Sequence, residues 1–199
     1  MTSSSNRFEK TIEAIDSLNS LDPHLEESNG SQIPKELLYS QRMTETLNQY
    51  EPSASETLKI AARAQHIQRW KIPRESYPMD RKGYLLWRTE LKKFHGKLTA
   101  DIMAKHAYSE AEIKKVEDLI NKRRLKTDPE VQTLEDVICL VFLRYYFDEF
   151  IQKHEEEQEK IVEIIHKTWK KMSPEGQEAA LKLPHSPKAL ELVSEAIDE

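Results

Sequence analysis

The stretch "AARAQHIQRWKIPRESYPMDRKGYLLWR", residues 61–88, concentrates side chains that could do chemistry. It holds Arg63, Arg69, Arg74, Arg81 and Arg88, with Trp70, Tyr77, Tyr84 and Trp87 interleaved, and one histidine, His66. A guanidinium grips a carboxylate or phosphate in a fork, and an aromatic face can stack on it or on a flat ligand. The segment therefore reads as the wall of an anion site. It reads equally as a surface belt of ion pairs with Glu75, Asp80 and Glu90. A second basic cluster, "NKRRLK" at 121–126, contributes Arg123 and Arg124. Cations there also suit the C-terminus of a helix, where the dipole favours them.

A metal centre is the other chemistry on offer. Asp136 lies in "TLEDVICLVFLRYYF", where the next seven residues carry no charge. A carboxylate at the edge of such a run is costly unless it is paired, metal-bound or exposed near the helix start. His95 falls between Leu91 and Leu98 on an apolar stripe, and His66 shares a mixed face with Arg63 and Trp70. Two imidazoles and a carboxylate form an acceptable ligand set for Fe(II), Mn(II) or Zn(II). Each histidine also has a plain structural reading as a hydrogen-bonded or surface residue. No Gly-rich phosphate loop, His-Glu-x-x-His pair, Cys-x-x-Cys pair or Gly-x-Ser-x-Gly elbow is present, so no catalytic residue is assigned.

The elements that must position these groups are helical. The 199 residues include only four glycines, 33% are charged, and Lys, Glu, Leu and Ala are abundant. We expect an all-α, irregular helical bundle forming one domain over residues 1–199, with a proline-stiffened loop at 71–80. The net charge of −5 argues against a general polyanion binder, so nucleic acid is open but not favoured as a partner. The lone Cys139, inside "VICLVFL", reads as a core residue. With no apolar leader and no run of membrane-spanning length, the expectation is a cytoplasmic chain without membrane contact.

Periodicity places a first helix at about 6–20 and a loop through "LDPHLEESNGSQIP". A second helix follows on Leu37, Leu38, Met43 and Leu47, and a third runs from a Ser53 or Ser55 cap to about Trp70. Asp80 caps the fourth, Ser109 and Glu112 make a capping box for the fifth, and Asp128-Pro129 opens the sixth. That sixth helix holds "VICLVFL", apolar all round, and should be central and buried. A seventh helix holds Ile161, Ile164, Ile165 and Trp169, and Ser173-Pro174 and Ser186-Pro187 start two short ones.

The motifs "AARAQHIQRW", "PRESYPMDRKGYLLWR", "LKKFHGK" and "TLEDVICLVFLRYYF" resemble the microbial family catalogued as domain of unknown function 4202, over nearly the whole chain. More remotely, the helix order resembles the HD superfamily of metal-dependent phosphohydrolases, which also contains diiron oxygenases. That resemblance implies an HD-like topology with a degenerate motif. Ser40 stands at or near the place of the early histidine, Gln65 and His66 at the His-Asp dyad, His95 at an extra histidine and Asp136 at the final aspartate. The resemblance implies His66, His95 and Asp136 as ligands if a metal binds. The expected function is an enzyme, phosphohydrolase- or oxygenase-like, acting on a small anionic or phosphorylated molecule. Its substrate contacts would be Arg63, Gln65, Arg69, Arg74, Tyr77, Arg81, Tyr84, Arg88, Arg123 and Arg124. The alternative is a non-catalytic HD-like module that binds an anionic metabolite, a protein or RNA.

Overall fold

The computed structural model describes residues 3–125 and 127–198, with side chains from Asn6 to Ile197 apart from residue 126. The chain begins with helix α1 (Ser3–Asn19), then a two-stranded antiparallel hairpin, β1 (Leu25–Ser28) and β2 (Ser31–Pro34), in which Leu25 pairs with Pro34. Helices α2 (Lys35–Tyr50) and α3 (Glu56–Arg63) follow, then two 3₁₀ turns, Arg69–Lys71 and Arg74–Ser76. Next come α4 (Arg81–Lys105), α5 (Glu110–Ile120), α6 (Pro129–Tyr145), α7 (Phe147–Lys153), α8 (Gln158–Trp169), α9 (Pro174–Leu181) and α10 (Pro187–Asp198). The protein is mostly helical, as its composition requires.

Helix starts follow local chemistry. Ser55 accepts from Leu58 N–H, Asp80 from Gly83 N–H, Asp128 from Glu130 N–H and Ser173 from Gly176 N–H. Ser109 and Glu112 form the reciprocal capping box. Gly83 is fixed by crowding, because a Cβ there would lie 2.0 Å from the Pro78 carbonyl oxygen.

Three expectations need correction. The segment read as a loop at 21–34 contains the hairpin, since Asn29 and Gly30 supply the two positive φ values, 50° and 76°, that a tight two-residue turn demands. The third helix stops at Arg63 rather than Trp70. Gln68 there enters the left-handed region at φ 51° and donates its N–H to the buried Asn19 side chain at 3.0 Å. The helix read as the seventh is the eighth, because the chain breaks at Tyr146 and restarts as the short α7 before it.

Helix α6 is central. Val131, Leu134, Val137 and Val141 join an apolar cluster with Ile15, Met43, Leu47, Leu58 and Met103. Cys139, Leu140 and Leu143 join a second, with Phe147, Ile161, Ile165, Leu192 and Val193. Full burial of each such large aliphatic side chain contributes about 1.5–3 kcal/mol. Ile138 and Phe142 remain only half-buried, and that exception leads to the site. Among the described residues, no helix is long and apolar enough to cross a membrane.

Candidate anion site

One face of α6 opens onto a cavity of about 800 Å³. Glu135, Ile138, Cys139, Phe142 and Tyr146 line it, at the spacing of one helical stripe. Helix α2 supplies Glu36 and Tyr39 from its first turns, α4 supplies Tyr84, Trp87 and Arg88, and α8 supplies Ile164 and Thr168. The turns after α3 add Gln65, His66, Arg69, Trp70 and Arg74. Trp87 Nε1–H donates to the Ile72 carbonyl at 2.8 Å, which clamps those turns onto α4.

The arginines of this wall rest on rings and carbonyls. Arg69 lies 4.9 Å from the Trp87 ring centre, and Arg74 lies 5.9 Å from Trp87 and 6.0 Å from Tyr84. Arg74 donates to the carbonyls of Tyr77 and Asp80, and Arg88 donates to the Tyr84 hydroxyl at 3.2 Å. Among the described residues, no carboxylate comes within 4.0 Å of Arg69, Arg74 or Arg88. Of the carboxylates that sequence offered as partners, Asp80 caps α4 and Glu90 pairs with Lys93, while Glu75 lines the same cavity without coming within 4.0 Å of the three arginines. The belt of ion pairs is therefore not formed on this wall.

Other candidates lie away from it. Arg63 makes a two-pronged pair with Asp16 at 2.7 and 2.6 Å and a bond to Thr44. Arg123 pairs with Asp118 at 2.9 Å. Tyr77, Arg81 and Arg124 do not line the cavity. Gln65 and Tyr84 do, and the Gln65 Oε1 is buried without a partner.

His66 sits at the convergence of the wall. Tyr39 stacks on its ring at 4.0 Å, Arg69 Nη1 lies 3.0 Å from Nε2, and Glu36 Oε2 lies 3.4 Å from Nδ1. Desolvation, with Arg69, Arg88, Lys122 and Lys35 nearby, holds the imidazole well below its ordinary value, so it is neutral at physiological pH. Burial also pushes the Glu36 carboxyl up to about 7. His95 lies one layer deeper, its ring centre 6.1 Å from that of His66. Its Nδ1–H donates to the Ile67 carbonyl at 2.8 Å, and Nε2 is buried without a partner. Burial and His66 depress its pKa to about 3. Across the cavity, Lys122 adopts φ 57° and its ammonium pairs with the buried Glu135. A family model for a domain of unknown function, DUF4202, matches residues 9–193.

The chain belongs to the DUF4202 family.

No curated protein and no solved structure matches it. The geometry of this DUF4202 chain gives Asp136 a set of partners of its own. Asp136 accepts from Ser173 N–H at 2.8 Å, Ser173 hydroxyl at 2.6 Å, Tyr50 hydroxyl at 3.1 Å and Gln132 at 3.0 Å. It anchors the start of α9 and does not line the cavity. Its neighbour Glu135 does, because successive helical residues point about 100° apart. Among the described residues, no three of His, Cys, Asp and Glu are disposed to hold a metal ion. Among the described residues His66 and His95 adjoin, and Asp136 does not join them in one group.

Several lining residues escaped the sequence reading: Glu36, Tyr39, Lys122, Glu135 and Phe142. The signal for Glu135 was available, since it lies four residues before Cys139 and seven before Phe142. Glu36 and Tyr39 stand in no motif, and only tertiary packing brings them to His66. Cys139, although it lines the cavity, has its thiol pushed up to about 12 by burial and is no nucleophile at neutral pH.

Proposed function

We propose that this chain holds a small anionic, phosphorylated molecule in the α6 cavity and acts on it as an enzyme. The observation that carries this reading is the set of three guanidinium groups, Arg69, Arg74 and Arg88, which line one concavity with no carboxylate partner. Guanidinium donors left open in this way suit a phosphate, and Trp87, Tyr84 and Tyr39 offer faces for a flat portion of the same ligand. An enzyme is favoured over a plain binding module by the pair Glu36 and His66. A carboxyl near 7 beside a neutral imidazole is suited to moving a proton at neutral pH. The likeness of helix order to the HD superfamily belongs to this reading, with chemistry that does not rest on the metal triad. An RNA partner is less well supported, because Arg123 is turned to Asp118 and the open arginines face a cavity.

Thermal denaturation with a panel of inorganic phosphate, pyrophosphate, AMP, ATP and citrate tests the proposal. A ligand at 100 times its Kd stabilises by about 2.7 kcal/mol, which raises Tm by several degrees. We expect at least one phosphate compound to do so, and the Arg69→Ala, Arg88→Ala double variant to lose the shift. A panel without effect at millimolar concentration would overturn the reading.

A further inference from the structure

A carboxylate stands where an anion should go. Glu36 is 7% exposed, lines the cavity and approaches His66 at 3.4 Å, within the same cluster that contains Lys35 and Arg69. Its position is built: Asp22 Oδ2 accepts the Glu36 backbone N–H at 3.1 Å, while Asp22 Oδ1 accepts from His24 N–H. Among the described residues neither Lys35 nor Arg69 comes within 4.0 Å of the Glu36 carboxylate, whereas of the other buried carboxylates of the wall Glu135 is paired with Lys122 and Asp22 is taken up by backbone N–H groups. The groups facing Glu36 include Asp22, Lys35, Tyr39, His66, Arg69, His95 and Tyr146. Besides Gln65, whose Oε1 is unpaired, the cavity wall thus carries in Glu36 a buried carboxylate acceptor with no lysine or arginine within 4.0 Å among the described residues.

An oxyanion without a proton would set one of its oxygens against that acceptor. An oxyanion that carries a hydroxyl can give Glu36 a hydrogen bond while its other oxygens take the arginines. We infer that Glu36 reads the proton of the bound oxyanion, so that the cavity selects hydrogenphosphate over sulfate. The inference rests on the anion-binding reading above and names the specificity residue for it. It makes orthophosphate itself a ligand, as the product released from a phosphate ester or as a co-substrate. The expected discrimination is large because a site built to accept a hydroxyl hydrogen penalises an analogue that lacks it. Losing such a bond, and leaving a buried acceptor unpaired, corresponds to about a tenfold change or more.

Calorimetric titration of the full chain with inorganic phosphate and with sulfate, at matched ionic strength and about pH 8, is the experiment. Free Glu36 is ionised there, and both anions are dianions that differ by one proton. The wild type should bind phosphate at least about tenfold more tightly than sulfate. In Glu36→Gln the ratio should fall to within about threefold, with sulfate affinity rising, because the amide can donate. A rise in one affinity is a result that general damage to the fold does not produce. Equal binding of the two anions by the wild type would overturn the role of Glu36 and leave the anion pocket standing, as would an unchanged ratio in Glu36→Gln. If neither anion binds the wild type, both the inference and the anion pocket fall. Should Glu36→Gln not fold, the wild-type ratio and the Glu36→Ala variant decide.

Discussion

Arg63 and Arg69 are six residues apart and do different things. Arg63, at the end of α3, is held by both oxygens of Asp16, and Arg7, on α1 as Asp16 is, reaches Glu112 and Glu56. Arg69, one turn into the next segment, has Trp87 and His66 as neighbours and no carboxylate. The residue type is the same, and so is the burial class. The partner differs. A guanidinium whose fork is filled by a carboxylate ties helices together, whereas one that rests on a ring face keeps donors free for something from outside.

The comparison breaks most visibly at a carboxylate. Asp136→Ala removes the acceptor of four hydrogen bonds and strands Ser173 and Tyr50, so we expect a loss of about 3 kcal/mol in urea unfolding. Metal content, measured by elemental analysis, should not change. Next in size, removing the Arg69 and Arg88 side chains together should weaken binding of whichever panel phosphate stabilises the protein. We expect at least about tenfold, or about 1.4 kcal/mol, while thermal stability without ligand moves by less than about 0.5 kcal/mol. Arg63→Ala should do the reverse. A loss of about 1–2 kcal/mol in stability with phosphate affinity intact would confirm the division, and equal effects of the two kinds of variant on binding would abolish it.

The smallest effect is electrostatic. Hydrogen bonds from Ser109 and from Arg7 hold the Glu112 carboxyl down at about 2, against an ordinary value of 4.5. A carboxyl depressed in the folded state stabilises the protein above its unfolded pKa, and that contribution disappears as pH falls through the folded value. Between about pH 5 and pH 2, urea melts of Glu112→Gln should therefore converge on those of the wild type. Parallel curves over that window would show the capping box to be electrostatically silent.

Local chemistry explains what was legible. Caps at Ser55, Asp80, Ser109, Asp128 and Ser173 are decided within four residues, and each formed as the sequence implied. The hairpin was not, because "LEES" and "SQIP" lack apolar alternation and only Asn29-Gly30 betrays it. The left-handed turn at Gln68 is held by Asn19, 49 residues away, so no local pattern announces it. Of the site, the arginine and aromatic wall was visible by residue type. Which arginines stay unpaired was not, since pairing is decided by distant helices. The choice of Asp136 over Glu135 shows the same limit. An apolar run all round a helix hides which of two adjacent carboxylates faces the cavity.

Helix α6 carries one apolar cluster on one edge and a second on another, and the cavity draws its walls from both sides. Arg69 and Trp87 belong to segments packed on the first, whereas Ile164 and Thr168 belong to α8, in the second. Such clusters open as separate cooperative units, each with its own free energy. A molecule seated in the seam touches both, so it must leave before α8 can swing free. Under the proposed function it would act as a clasp, and occupancy of the pocket would set how often the C-terminal helices α8–α10 are exposed. At a ligand concentration equal to Kd the open population halves, and at 100 times Kd it falls about a hundredfold. For a cell, the amount of this protein surviving proteolysis would then report the concentration of its own ligand.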